Sequence, residues 1–262
     1  MPDNRAQDKI NNKKMHILRV CILRICLLAV MPILLLSCCT KKMPVDSFEP
    51  ENNSIQSEDS KTDSTVSGDE DGESSDKTDY LIIVDRNHKL PDEWEDNLKI
   101  KEDVNSVGDI VRAEATTFDA YQDLKEALKD EGIHIEMDSA YRSVAEQQEI
   151  IDEFTEKYGA DYASSYVSTP GYSEHHTGLA VDLYLIVDGK TVYENEDLVQ
   201  YPEIWEKIHA RLADYGFILR YPKGSPEGYA YEPWHIRYVG KDAAKEIHEH
   251  NLTLEQYLRS KE

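Results

Sequence analysis

Apolar and polar positions divide the chain into three stretches. Ile25 to Leu36 is an unbroken apolar run preceded by Lys13, Lys14, Arg19 and Arg24. Thr40 to Asp79 is rich in Ser, Asp, Glu and Thr and nearly free of large apolar residues. From Tyr80 onward the pattern is that of a globular domain. Tyr80-Leu-Ile-Ile-Val-Asp85 is β-branched enough to predict a strand. Phe118, Tyr121, Leu124 and Leu128 recur at helical spacing, and that helix ends near Gly132. Ile133 to Asp138 alternates as a strand. Ser143-Val-Ala-Glu146 reads as a capping box opening a helix whose apolar face includes Ile150, Ile151 and Phe154. Leu179 to Val187 predicts another strand. A helix with Trp205, Ile208 and Leu212 on one side follows and stops at Gly216. Phe217 to Tyr221 and His235 to Val239 predict strands, and Leu252 to Leu258 a short last helix. Helices and strands mix without the alternation of a doubly wound parallel sheet. The fold class expected is therefore α+β, a small antiparallel sheet with helices packed around it.

The polar stretch changes the domain picture. Residues 39–79 are too poor in apolar side chains to offset the entropy of ordering, so they read as a disordered acidic, Ser-rich tether. Residues 1–38 read as a signal peptide or membrane anchor. The apolar run alone is shorter than the roughly 20 residues a span needs, and a basic region before a short apolar core is the pattern of an export signal. It closes on Leu35-Leu36-Ser37-Cys38, which resembles a bacterial lipobox and makes Cys38 the candidate lipidated residue. An uncleaved signal anchor is the alternative, because Leu36 stands where a small residue is usual. Either reading places residues 80–262, the globular part, at the outer face of a bacterial cell membrane.

Charge and cysteine usage narrow the partners. A net charge of -23 over 262 residues argues against nucleic acid as a partner, because phosphate neutralisation needs clustered Lys and Arg. All four cysteines, Cys21, Cys26, Cys38 and Cys39, lie in the leader, so the globular part has no disulfide to rely on.

Two short stretches carry the candidate chemistry. Ser173-Glu-His-His-Thr-Gly-Leu-Ala-Val-Asp182 offers a His and a carboxylate seven residues apart, and Glu232-Pro-Trp-His235 a Glu and a His three apart. Imidazole nitrogen and carboxylate oxygen suit zinc, and a catalytic zinc takes three protein ligands and keeps one position open. That points to His175, Asp182 and His235 as ligands of one zinc ion, with Glu232 as the general base that activates water. Strand side chains alternate faces, so His175 and Asp182 share a metal only if the chain bends between them. Thr177-Gly178 is the place for that bend. Pro233 lacks an N–H, so Glu232 ends a loop and His235 opens a strand. A ligating His must be neutral, so metal binding and activity are expected to fall below about pH 6.

The pattern Ser-x-His-x-x-Gly-x-Ala-x-Asp followed by Glu-x-x-His resembles the zinc D,D-carboxypeptidases of the VanY type, with the Hedgehog/D,D-peptidase fold. Upstream, Ser139-Ala-Tyr-Arg-Ser143 with Gln147 resembles that family's third motif. The resemblance covers about Tyr80 to Tyr238 without departure at a catalytic position. It implies that Arg142 faces a developing oxyanion or binds the substrate's terminal carboxylate. Gln147 is a candidate substrate contact one turn into the following helix, and Ser173 either hydrogen-bonds substrate or shapes the loop. Ser143 caps a helix on one reading, and Trp234 either shields Glu232 from water or fills the core. The implied substrate is a peptidoglycan stem peptide ending in D-alanine, which loses that residue. L,D-carboxypeptidase or endopeptidase action on the same site is the alternative, and a non-catalytic zinc-containing wall-binding module a more distant one.

Overall fold

In the computed structural model, the described residues are 78–262. The expectations for residues 1–38, Cys38 included, and for the tether up to residue 77 fall outside them. Seven strands and seven α-helices are described: β1 (Ile100–Val104), β2 (Ile110–Glu114), α1 (Ala115–Asp130), β3 (His134–Ser139), α2 (Val144–Tyr158), α3 (Ala160–Tyr166), β4 (Ala180–Val187), β5 (Lys190–Val192), α4 (Asn195–Leu198), α5 (Pro202–Leu212), β6 (Phe217–Leu219), β7 (His235–Tyr238), α6 (Lys241–Glu249) and α7 (Leu254–Arg259). Strands β1 and β2 form a separate antiparallel hairpin. The main sheet runs β3-β4-β7-β6, with β5 paired to the far end of β4, and every pairing is antiparallel. The α+β expectation holds.

Alternation along the strands sorts the sheet into two faces. Val181, Leu183 and Leu185 of β4 and Ile236 of β7 join Ile135 and Met137 of β3 in the main core. Phe118, Tyr121, Leu124 and Leu128 of α1 and Trp205, Ile208 and Leu212 of α5 cover them. Each such side chain contributes about 1.5–3 kcal/mol by leaving water. The other face carries Asp182 on β4 and His235 and Arg237 on β7, all buried. A second core, with Ile218, Val239, Ala244, Ile247, Leu254 and Tyr257, packs α6 and α7 beside β6.

Local signals account for several boundaries. Ser143 caps α2: its Oγ accepts from Glu146 N at 3.1 Å, and the Glu146 carboxylate accepts from Ser143 N at 3.0 Å. Helix α5 gives way to a short 3-10 turn that stops at Gly216, whose φ is +82°.

Tyr80 to Asp85 is not a strand; only an isolated bridge joins Asp85 to His88. The carbonyls that a neighbouring strand would take up are instead bound by a side chain. Arg237 Nη2 donates to Tyr80 O at 3.1 Å and to Ile82 O at 2.9 Å. The hairpin β1–β2, helices α3, α4 and α6 and strand β5 had no predicted counterpart.

Candidate metal centre

Strand pairing assembles the centre. Asp182 on β4 sits directly opposite His235 on β7 and, across its other edge, opposite Ser139 on β3. A register shift between Met137 and Ser139 turns the end of β3 at this point. His175 arrives from outside the sheet, in a 3-10 turn over Glu174–Thr177. Gly178 closes that turn with φ +72°, which supplies the expected bend between His175 and Asp182. A Cβ at Gly178 would lie 3.0 Å from the backbone N of Glu114. That backbone N donates to Gly178 O at 2.9 Å, so the turn and the start of α1 are locked together.

His175, Asp182 and His235 are 2%, 3% and 2% exposed, and one ligand atom of each lies within 4.8 Å of the others. Asp182 Oδ2 is 3.2 Å from His175 Nε2, and Asp182 Oδ1 is 2.8 Å from His235 Nδ1. These approaches lack hydrogen-bond alignment. Among the described residues His175 Nε2 and His235 Nδ1 are therefore buried nitrogens without a hydrogen-bond partner. Their opposite ring nitrogens are committed: His175 Nδ1 donates to Ala140 O at 2.7 Å, and His235 Nε2 to Glu174 Oε2 at 3.0 Å. Each bond puts the ring proton on the outer nitrogen and leaves the inner lone pair for a cation. Two imidazoles and one carboxylate converging this way fit zinc.

The charges agree with a cation site. Burial pushes the His175 imidazole down, toward the neutral form a metal needs. Burial raises the Asp182 carboxyl, but His175 and His235 outweigh it and hold it well below the usual carboxylate range. At His235 burial favours the neutral ring. Asp182 and Glu174 overcome that and lift the imidazole to about 9 while no metal is bound.

Glu232 lies in the loop before β7, with one oxygen 3.9 Å from His235 Nδ1 and its side chain 21% exposed. It borders a cleft lined by Ser173, His175, Tyr221, Tyr229 and His235. Trp234 is only 4% exposed and belongs to the main core, so it fills space rather than covering Glu232. Arg142 is tied to the centre at both ends. Its backbone N donates to His175 O at 3.2 Å, and its carbonyl accepts from His176 Nδ1 at 2.7 Å. Its Nη1 donates to Gln147 Oε1 at 2.8 Å and its Nη2 to Ser139 Oγ at 3.3 Å. Gln147 is 1% exposed, and its amide nitrogen donates to Ser168 O. Both ends of its amide are thus engaged within the protein.

Sequence reading passed over Glu174, Arg220, Arg237 and Tyr221. The Tyr221 ring packs against His235 with centroids 4.8 Å apart. Glu174 has a signal of its own: a carboxylate next to the candidate ligand His175, in a turn whose other residues are buried.

Comparison with known proteins agrees with this geometry. Residues 111–241, half of the chain, match the family model described as VanY: D-alanyl-D-alanine carboxypeptidase. A D-alanyl-D-alanine carboxypeptidase of Enterococcus faecalis is 33% identical over 191 residues, covering 69% of this chain. The chain spans 66% of that relative's length. A solved VanYB in complex with D-Ala-D-Ala is 33% identical with a TM-score of 0.54, covering 70% of this chain and 99% of that one. A solved vancomycin-resistance D,D-pentapeptidase VanY variant in complex with Zn(II) is 33% identical with a TM-score of 0.53, covering 68% and 98%. With the donor set and the fold in accord, the chain belongs to the VanY D-alanyl-D-alanine carboxypeptidase family.

Proposed function

We propose that this protein is a zinc-dependent D,D-carboxypeptidase that removes the terminal D-alanine from peptidoglycan stem peptides. The observation that carries the reading is the convergence of His175, Asp182 and His235 within 4.8 Å, with Glu232 beside them at the cleft. Zinc bound there supplies a Lewis acid that polarises the scissile carbonyl and acidifies water. Glu232 takes the proton of the attacking water and passes it to the departing amine. Arg142 directs guanidinium donors at the carbonyl oxygen as negative charge develops on it. Gln147 holds that guanidinium in place. Ser173, buried at the cleft wall, shapes the floor on which the peptide lies.

Mass spectrometry of stem pentapeptide and tetrapeptide after incubation with the zinc-loaded protein tests this. Loss of one alanine from the pentapeptide is the expected result. Loss from the tetrapeptide alone makes the protein an L,D-carboxypeptidase, and cleavage of neither with zinc bound overturns the reading. The basic, apolar and Cys38-bearing leader supports a place at the outer face of a bacterial cell membrane, anchored by lipid or by the leader itself. Cys38→Ser should then shift the protein out of the membrane fraction; continued membrane binding favours an uncleaved anchor.

A further inference from the structure

Beside the metal centre, centred on Glu174 in the cleft wall, lies a buried ion network that the reaction above does not use. Glu174 divides its two oxygens between two tasks. Oε2 accepts from His235 Nε2 at 3.0 Å. Oε1 accepts from Arg220 Nε at 2.8 Å and from Arg237 Nη1 at 2.5 Å. Both arginines are themselves anchored. Arg220 Nη1 and Nη2 donate to the Glu255 carboxylate of α7 at 3.1 and 2.6 Å. The remaining donors of Arg237 go to the carbonyls of Tyr80, Ile82 and Tyr238. Glu174, Arg220 and Arg237 are 4%, 2% and 0% exposed.

Burying a carboxylate between two guanidinium groups has a large desolvation cost and contributes little to stability compared with an apolar packing of the same volume. The arrangement here does something an apolar packing does not. It presents one immobile, ionised oxygen to one ring nitrogen of His235. We propose that Glu174, clamped by Arg220 and Arg237, is a positioning residue for the metal ligand His235, keeping the ring proton on Nε2 and the Nδ1 lone pair aimed at the cation. The inference rests on the zinc reading of the site.

The clamp is specific in three ways. The His175 ring is oriented by a backbone carbonyl, whereas His235 depends on a side chain, so only His235 is sensitive to a substitution behind it. The two arginines occupy the oxygen that His235 does not use, so the carboxylate has no freedom to rotate away. Their positive charge also draws electron density from Glu174, which keeps the proton on the imidazole rather than transferring it. Through Glu255 and the Tyr80 and Ile82 carbonyls, the last helix and the segment before β1 become supports of the metal ligand.

The test measures zinc affinity of the full-length protein by competition with a chromophoric chelator. The visible spectrum of the cobalt(II)-loaded form serves as a second readout, and melting of the metal-free form as the folding control. Glu174→Ala should lose about tenfold to hundredfold in zinc affinity and shift the cobalt spectrum. Glu174→Asp keeps the charge between the arginines but is one methylene too short to reach His235 as well. It should fold and still lose at least about threefold. Wild-type zinc affinity with an unchanged cobalt spectrum in a folded Glu174→Ala or Glu174→Asp protein overturns the proposal. Absence of zinc binding in the unmodified protein would instead sink the metal reading on which it rests.

Discussion

Two glutamates approach His235 from opposite sides, and the regions around them are built on opposite principles. Glu174 sits on the Nε2 side of the ring with a side chain 2% exposed, inside a closed set of charged hydrogen bonds. Glu232 sits on the Nδ1 side, 21% exposed, in the cleft whose wall Glu174 also reaches. Burial raises the Glu174 carboxyl, but Arg220 and Arg237 outweigh it and hold it well below the usual carboxylate range. A group held ionised that firmly is useless for moving protons near neutral pH and well suited to fixing a ring. A proton carrier needs the reverse: access to water and an environment that tolerates both of its forms. On the proposed reading one residue type serves two roles, and the surroundings assign them.

The sharpest way to break that comparison is to remove the Glu232 carboxylate. Glu232→Ala should lower kcat by about 10²–10⁴-fold. Zinc affinity should stay as in the unmodified protein, and stability should change by no more than about 0.5 kcal/mol, as for a partly exposed side chain outside the core. Peptide turnover, chelator competition and a melt decide it. If Glu232→Ala loses the metal, or if it still turns over at the unmodified rate, the division between the two glutamates collapses.

The metal centre was more legible in the sequence than its support, and the reason is range. His175, Asp182, Glu232 and His235 lie in two short stretches whose residue types announce the chemistry. The bend at Gly178 follows from strand alternation and a single glycine. Glu174 takes its meaning from Arg220 and Arg237, 46 and 63 residues further along the chain. No local pattern shows that pairing. The same arginine defeated the strand expected at Tyr80 to Asp85: β-branched residues report a preference for extended backbone, not which group takes up the carbonyls. The β1–β2 hairpin was invisible for another reason. Strand β1 has no buried residue, so Ile100-Lys-Glu-Asp-Val104 carries no alternation to read.

The pH dependence expected from sequence also shifts. A loss of neutral His only below about pH 6 assumes an ordinary imidazole, whereas Asp182 and Glu174 lift His235 to about 9 in the metal-free protein. A raised histidine stabilises the fold fully below its unfolded value, near 6.5, and loses that contribution as pH rises through the folded value. The metal-free protein should therefore lose roughly 3 kcal/mol between about pH 6.5 and 9. Zinc competes with the same proton, so its affinity should climb over the same interval and level off near pH 9. Chelator-treated melts and zinc titrations across that range measure both trends. A metal-free stability that stays flat from pH 6.5 to 9 would show that the carboxylates around His235 do not hold its proton.

The smallest of these effects lies within the reaction itself. Arg142 is fixed through its backbone by the His175–His176 turn and through its guanidinium by Gln147. A hydrogen bond to a charged group contributes about 1.5–3 kcal/mol. Part of that is recovered when Ser139 alone holds the head, so Gln147→Ala should lower kcat/KM by about tenfold. Zinc affinity should not move, because neither His175 nor His235 depends on Gln147 for its ring orientation. Gln147→Glu, which restores an acceptor for the guanidinium, should recover most of the rate. The split between constants carries the argument. A fall in kcat means that Gln147 works by aiming Arg142 at charge present only in the transition state. A rise in KM alone means that it touches the bound peptide in the ground state, the contact expected from sequence.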